Sequence, residues 1–120
     1  MQKSKLRELS MEFSVDIIEL VKHLKSIKES IISNQIGRSG TSIGANIHEA
    51  QYAQGKKDFI SKLETSLKEI NETEYWLERL YKGQFLSDRE FKSMRSDCIA
   101  IRRLLIASVT TVKKKLNQEK

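Results

Sequence analysis

Apolar residues recur along this chain at alternating steps of three and four, the spacing that places side chains on one face of an α-helix. Leu6, Leu9, Phe13, Ile17, Leu20, Leu24 and Ile27 predict a first helix over about residues 4–26. Ile36, Gly40, Ile43, Ile47 and Ala50 predict a second, from about Glu29 to Tyr52. A third is predicted from about Lys57 to Tyr81, with Ile60, Leu63, Leu67, Ile70, Tyr75, Leu77 and Leu80 inward or nearly so. Gly83 follows it, at the place of a C-cap glycine. The fourth opens at Ser87-Asp88-Arg89-Glu90, which has the form of a capping box. Its seam of Phe91, Met94, Cys98, Ile101, Leu105, Ser108, Val112 and Leu116 runs on toward the C-terminus. Connections this short make successive helices antiparallel neighbours. The expected fold is all-α, an antiparallel up-down-up-down four-helix bundle built as one domain over residues 1–120.

Small residues mark the second helix. Gly37, Gly40 and Gly44 lie on or beside its apolar face. Each glycine inside a helix costs about 1 kcal/mol relative to alanine, so another gain must offset the loss. The usual one is close approach of a second helix, and these glycines are read as a packing surface. Ser39, Thr41, Ser42 and Asn46 flank them. They are candidates for hydrogen bonds across that surface or back to their own helix.

The fourth helix has more apolar surface than one seam needs. Ile99, Ile106 and Val109 fall outside the line of Cys98, Ile101 and Leu105, while Ala100, Leu104 and Ala107 widen the arc on the other side. A helix apolar most of the way round is normally buried most of the way round. Ile99, Ile106 and Val109 are therefore assigned to an interface with further copies of the chain, the alternative being cover by the other helices.

Composition narrows the picture. No proline interrupts the helices, and the single cysteine, Cys98, allows neither an internal disulfide nor a cysteine-based zinc site. No apolar run approaches the ~20 residues that span a bilayer. The first residues, Met1-Gln2-Lys3-Ser4-Lys5, have no signal-peptide core. The expected location is the cytoplasm, with no membrane partner.

Charge is segregated. Residues 88–120 carry nine basic and four acidic residues, whereas residues 28–87 are balanced. Lys92, Arg95, Arg102 and Arg103, with Lys113, Lys114 and Lys115 beyond them, place the excess on the last helix. That is the footprint of a polyanion-binding surface, with RNA or DNA phosphate the first candidate. Lysines near a helix C-terminus also complement the macrodipole and aid solubility. No base-reading module is visible.

Enzyme chemistry finds little support. A di-metal bundle site needs paired Glu-x-x-His motifs, and His23 and His48 each lack the glutamate three residues before. Glu19 and His23 are spaced for a surface pair. Gly37 to Ser42 has the small residues of a phosphate loop, but not its lysine, spacing or preceding strand. Cys98 sits on the seam as a core residue, and Trp76 reads as a packing anchor. No catalytic residue, metal or cofactor is expected.

The stretches Gln35 to Ile47, Glu49-Ala50, Lys57 to Lys62 and Lys68 to Leu77 carry a resemblance. The chain resembles the four-helix-bundle protein family encoded in intervening sequences of bacterial 23S ribosomal RNA genes, once labelled ribosomal proteins. The glycine-rich block is the most specific part, and the first and last helices match mainly by pattern. Two departures stand out: Ser26-Ile27-Lys28-Glu29 where many members carry a proline, and Gly55 where serine often precedes the third helix. The resemblance implies a ring-like homopentamer without enzymatic activity. It also implies kinship with the accessory proteins of diversity-generating retroelements, basic pentamers that bind nucleic acid and a reverse transcriptase. Pattern and resemblance together lead to an expected non-catalytic, nucleic-acid-binding homo-oligomer. Lys92, Arg95, Arg102, Arg103, Lys113, Lys114 and Lys115 are its phosphate contacts and Arg38 an additional one. The alternative is a scaffold or accessory factor whose partner is another protein, such as a polymerase.

Overall fold

The computed structural model describes residues 4–119, which form four helices. They are α1 (Lys5–Ser26), α2 (Ile31–Ala50), α3 (Lys56–Lys82) and α4 (Asp88–Gln118). Each start has a local chemical cause. The Ser4 hydroxyl accepts the Arg7 N–H at 3.3 Å. Glu29 accepts the N–H groups of Ile32 and Ser33 at 3.2 and 2.9 Å, so it caps α2 from outside rather than opening it. Asp58 accepts the Gln54 N–H at 3.2 Å, reaching back over the Gly55 N-cap. At α4 the capping box is complete, with Glu90 N–H to Ser87 Oγ at 3.1 Å and Ser87 N–H to Glu90 Oε1 at 2.9 Å. The bonds from Ser87 hold the Glu90 carboxyl below the usual carboxylate range, the backbone N–H contributing most.

α1 and α3 end alike, with Gly83 as the C-cap of α3 and the left-handed residue falling just beyond it. Lys28 and Gln84 take φ of 65° and 67°, while Gly83 stays at −81°. Glu29 N–H then reaches Leu24 O at 2.9 Å and Phe85 N–H reaches Leu80 O at 2.8 Å, the backward bonds of a Schellman ending. A side chain in the left-handed region strains both sites. Lys28→Gly and Gln84→Gly are each expected to stabilise the protein by about 0.5–1 kcal/mol. A raised urea midpoint checks this, and a lowered one contradicts it.

Cross-helix contacts establish antiparallel order. Gly37, Gly40 and Gly44 of α2 meet Val21, Ile17 and Ser14 of α1, one number rising as the other falls. Between α2 and α3, Lys62 pairs with Glu49, the Ser66 hydroxyl donates to the Ile43 carbonyl, and Thr73 meets Ser39. Between α3 and α4, Lys113 pairs with Glu64 and Arg102 with Glu74. The Tyr81 ring stacks on Phe91 with centroids 4.4 Å apart.

The core follows the predicted seams with a few exchanges. Phe13, Ile17, Leu24, Ile36, Ile43, Leu63, Ile70, Leu77, Leu80, Ile101 and Leu105 are fully buried. Tyr75, predicted inward or nearly so, is half exposed, and Ser66 and Thr73 are buried instead. Ile27 is exposed at the α1 C-cap. The buried hydroxyls are satisfied: Ser66 by the Ile43 carbonyl, Thr73 by Ser39 Oγ at 2.9 Å and the Glu69 carbonyl at 2.8 Å. Thr41 and Asn46 bond back to their own helix, at Gly37 O and Ser42 O.

The looser seam joins α1 to α4, which touch least among the neighbouring pairs. Asp97 faces it, and burial, followed by the like charges of Asp16 and Glu12, pushes its carboxyl pKa up. A folded-state pKa above the unfolded value means that stability is lost as pH rises through the folded pKa. Asp97→Asn is therefore expected to stabilise the protein at pH 7 by on the order of 0.5 kcal/mol, the size of one like-charge contact. The gain disappears at acid pH, below the unfolded pKa. Thermal melts at both pH values test it, and equal shifts at both would reject the electrostatic cause.

Candidate nucleic-acid interface

The complete capping box and unbroken periodicity make α4 the longest helix, and so the one that carries a long line of cations. Lys92, Arg95, Arg103, Lys114 and Lys115 are exposed. Among the described residues, none of the five has an acidic partner within salt-bridge distance. Residues eleven apart nearly repeat their angular position on a helix, so Lys92, Arg103 and Lys114 form an outer ridge. Arg89, which the pattern analysis missed, is exposed at the start of this helix. Its charge stood in plain view in the sequence, but its place in the capping box drew it into the helix-start reading.

Three expected phosphate contacts are already engaged within the chain. Arg38 pairs with Glu72 and, at 3.2 Å, with Glu69. The Glu72 bond raises its pKa most, burial lowers it by less, and the charges of Glu72 and Glu69 add to the rise. Glu72 also accepts the Trp76 indole N–H at 3.0 Å, and this bond followed by the Arg38 bond lowers its pKa. Arg38 thus clamps α2 to α3 and is withdrawn from the candidate surface. Arg102 pairs with Glu74 and donates to Asn71 Oδ1 at 3.2 Å. Lys113 lies 3.0 Å from Glu64. Helix spacing turns these two toward α3, whereas Lys92 and Arg103 point further round.

The expected interface residues divide as well. Val109 is only 7 % exposed and belongs to the core of this chain, because it lies one turn beyond the buried Leu105. It is corrected from interface to core. Ile106 remains 49 % exposed and Ile99 half-buried. Gly37, Gly40 and Gly44 pack against α1 of the same chain, so their role is internal. Sequence reasoning missed an apolar stripe on the outside of α1: Met11, Val15 and Ile18 are all exposed. Its steps of four and three were visible, but the stronger seam beside it took the attention.

The remaining candidates have structural roles. Cys98 is fully buried, and burial followed by the Asp97 charge pushes its thiol up to about 12, far from a reactive thiolate. Glu19 lies 3.6 Å from Lys22, and no Glu19–His23 ion pair is formed. Among the described residues no three His, Cys, Asp or Glu side chains gather as a metal site, and no helix is long and apolar enough to cross a membrane.

Fold and surface define a class: a small antiparallel four-helix bundle with a glycine-lined α1–α2 contact and a strongly basic last helix. The family described as 23S rRNA-intervening sequence protein matches residues 2–107, and the chain belongs to that family. A crystal structure of a protein of unknown function from the S23 ribosomal protein family of Bacteroides thetaiotaomicron is similar throughout. It shares 48 % identity at a TM-score of 0.85, over 87 % of this chain and 97 % of that one. No curated protein matches.

Proposed function

We propose that this protein is a non-catalytic homo-oligomer, with five copies as the family resemblance suggests, that binds RNA or DNA through phosphate contacts from α4. The observation that carries this reading is the set of five exposed cations, Lys92, Arg95, Arg103, Lys114 and Lys115, which have no acidic partner among the described residues, whereas Arg102 and Lys113 of the same helix are paired. Unpaired cations on one helix supply the sequence-independent part of nucleic-acid affinity. The absence of a base-reading module makes shape and charge, rather than base sequence, the basis of recognition. Self-association is supported by the exposed apolar residues of α1 and α4.

Labelled single- and double-stranded RNA and DNA, titrated with the protein at low ionic strength, test the binding. Saturable binding to at least one is expected. If all four fail to bind, the proposal is lost. Light scattering tests assembly separately, with a mass well above the 13.9 kDa of one chain expected.

A further inference from the structure

Five of the eight aromatic residues fall between residues 75 and 91. Three of them, Tyr75, Tyr81 and Phe91, line an open groove of about 470 Å³ between α3 and α4, together with Arg95. That volume lies within the range of about 300–1,000 Å³ in which proteins hold small ligands.

The rings have different tasks. Tyr81 and Phe91 stack face to face and pin the end of α3 to the start of α4. Tyr75 has no such duty. Its place in the helical pattern is inward or nearly so, yet it is 50 % exposed. Its neighbours hold it in position. The Trp76 ring stands edge-on to it with centroids 4.8 Å apart, and Arg79 Nη1 donates to its hydroxyl at 3.0 Å. A ring fixed before a ligand arrives loses little freedom on binding.

Charge around the groove is positive. Glu74 and Glu78 also line it, but each is neutralised within the chain, Glu74 by Arg102 and Glu78 by Lys82 at 3.3 Å. Arg79 and Arg95 are exposed and have no acidic partner among the described residues. The Arg79 guanidinium lies 5.8 Å from the centroid of the Tyr75 ring. Two uncompensated cations, one from each helix, thus stand beside exposed aromatic surface.

We infer that this groove takes an unpaired base of a single-stranded nucleic acid, stacked on Tyr75, with Arg79 and Arg95 on the flanking phosphates. Sites that track single strands combine aromatic rings for the bases with cations for the backbone. Every base has a π-face, so stacking tolerates any base sequence and needs no base-reading module. A duplex gains nothing from Tyr75, because its bases are already paired and stacked inside the helix. This reading rests on the nucleic-acid binding proposed above. It narrows the ligand to a strand with free bases and extends the site from α4 onto α3.

The test compares an oligoadenylate strand, its duplex with the complementary strand, and a strand of equal length whose central nucleotides are abasic, each as RNA and as DNA. The wild type is expected to bind the intact strand at least about fivefold more tightly than the abasic one, the effect of one stacked base. Emission from Trp76, the only tryptophan, should fall with the intact strand and not with the abasic one. Tyr75→Leu should lose the fivefold advantage, with unchanged affinity for the abasic strand and the duplex and an unchanged salt slope. Tyr75→Phe should keep the advantage. Arg79→Gln and Arg95→Gln should each reduce the salt slope for the strand by about 0.7. Circular dichroism checks the fold of each variant, and the abasic comparison needs no variant at all. Equal binding of intact and abasic strands, or unchanged Trp76 emission, overturns the stacking site while phosphate binding stands. A Tyr75→Leu protein that is folded and loses duplex and strand affinity alike also overturns it. Failure of every probe to bind removes the proposed function itself.

Discussion

Gly40→Ala is expected to destabilise the protein by about 1–3 kcal/mol, and Gly40→Leu to prevent native packing altogether. A Cβ at residue 40 would stand 2.7, 2.9 and 3.0 Å from three carbons of Ile17. Ile17 is fully buried among the core side chains, so it can yield only if its neighbours move too. Removing a glycine from a helix would by itself contribute about 1 kcal/mol of stability, and the clash outweighs it. The other two glycines calibrate the argument. At Gly37 the added atom would meet only Val21 Cγ2 at 3.2 Å, on a half-buried side chain that can shift. Gly37→Ala should therefore be neutral or stabilising by up to about 0.5 kcal/mol, the propensity gain less the adjustment. At Gly44 the neighbours are Ser14 Oγ at 3.2 Å and the Ser10 carbonyl at 3.3 Å. The carbonyl is backbone and yields less, which puts Gly44→Ala between the other two. Urea denaturation of the three variants reads the order directly. A Gly40→Ala protein as stable as the wild type would eliminate close approach as the reason for the glycine.

Nucleic-acid affinity is expected to fall on the order of 10²-fold between 50 and 200 mM salt, as it does for about four phosphate contacts. Four of the five exposed, unpaired cations of one α4 supply that number. Lys114→Ala/Lys115→Ala should flatten the salt dependence and weaken binding by at least about tenfold at 50 mM salt. Arg38→Ala should leave the slope unchanged, because Glu69 and Glu72 already hold that guanidinium. The comparison is made by fluorescence anisotropy over a salt series. An Arg38→Ala slope that drops with the lysine double variant unaffected would move the site from α4 to the α2–α3 face.

Much of the fold was legible because helix formation and antiparallel packing leave short-range signatures. The seam through Phe13, Ile17 and Leu24 and the capping box at Ser87 each lie within a few residues of sequence, and each recurs in the structure. The glycine surface was legible too, since three glycines in an apolar helix leave few explanations other than close contact. Errors arose where the angular count was near a boundary. Val109 and Tyr75 each sit at the edge of the apolar arc of their own helix, and packing buries the first and leaves the second half exposed. Gly83 is the C-cap of α3 as the pattern placed it, but the sequence did not show that the backward bond from Phe85 to Leu80 puts the left-handed φ on Gln84.

The candidate surface was legible as a charge total and not as a set of contacts. Counting acids and bases located the excess on α4. It did not distinguish Arg102, which Glu74 neutralises, from Arg103, which stands outside any such pair. By itself the sequence determined the helices, their antiparallel order, the glycine-lined packing face and the end of the chain that carries positive charge. All of these depend on periodicity, composition or short connections. Only the tertiary structure decided which cations are spent on partners and which apolar residues remain uncovered. Arg38 and Glu72 lie 34 residues apart, Lys113 and Glu64 lie 49. Their pairing depends on the rotation of each helix against its neighbour, which side-chain packing across the whole bundle establishes.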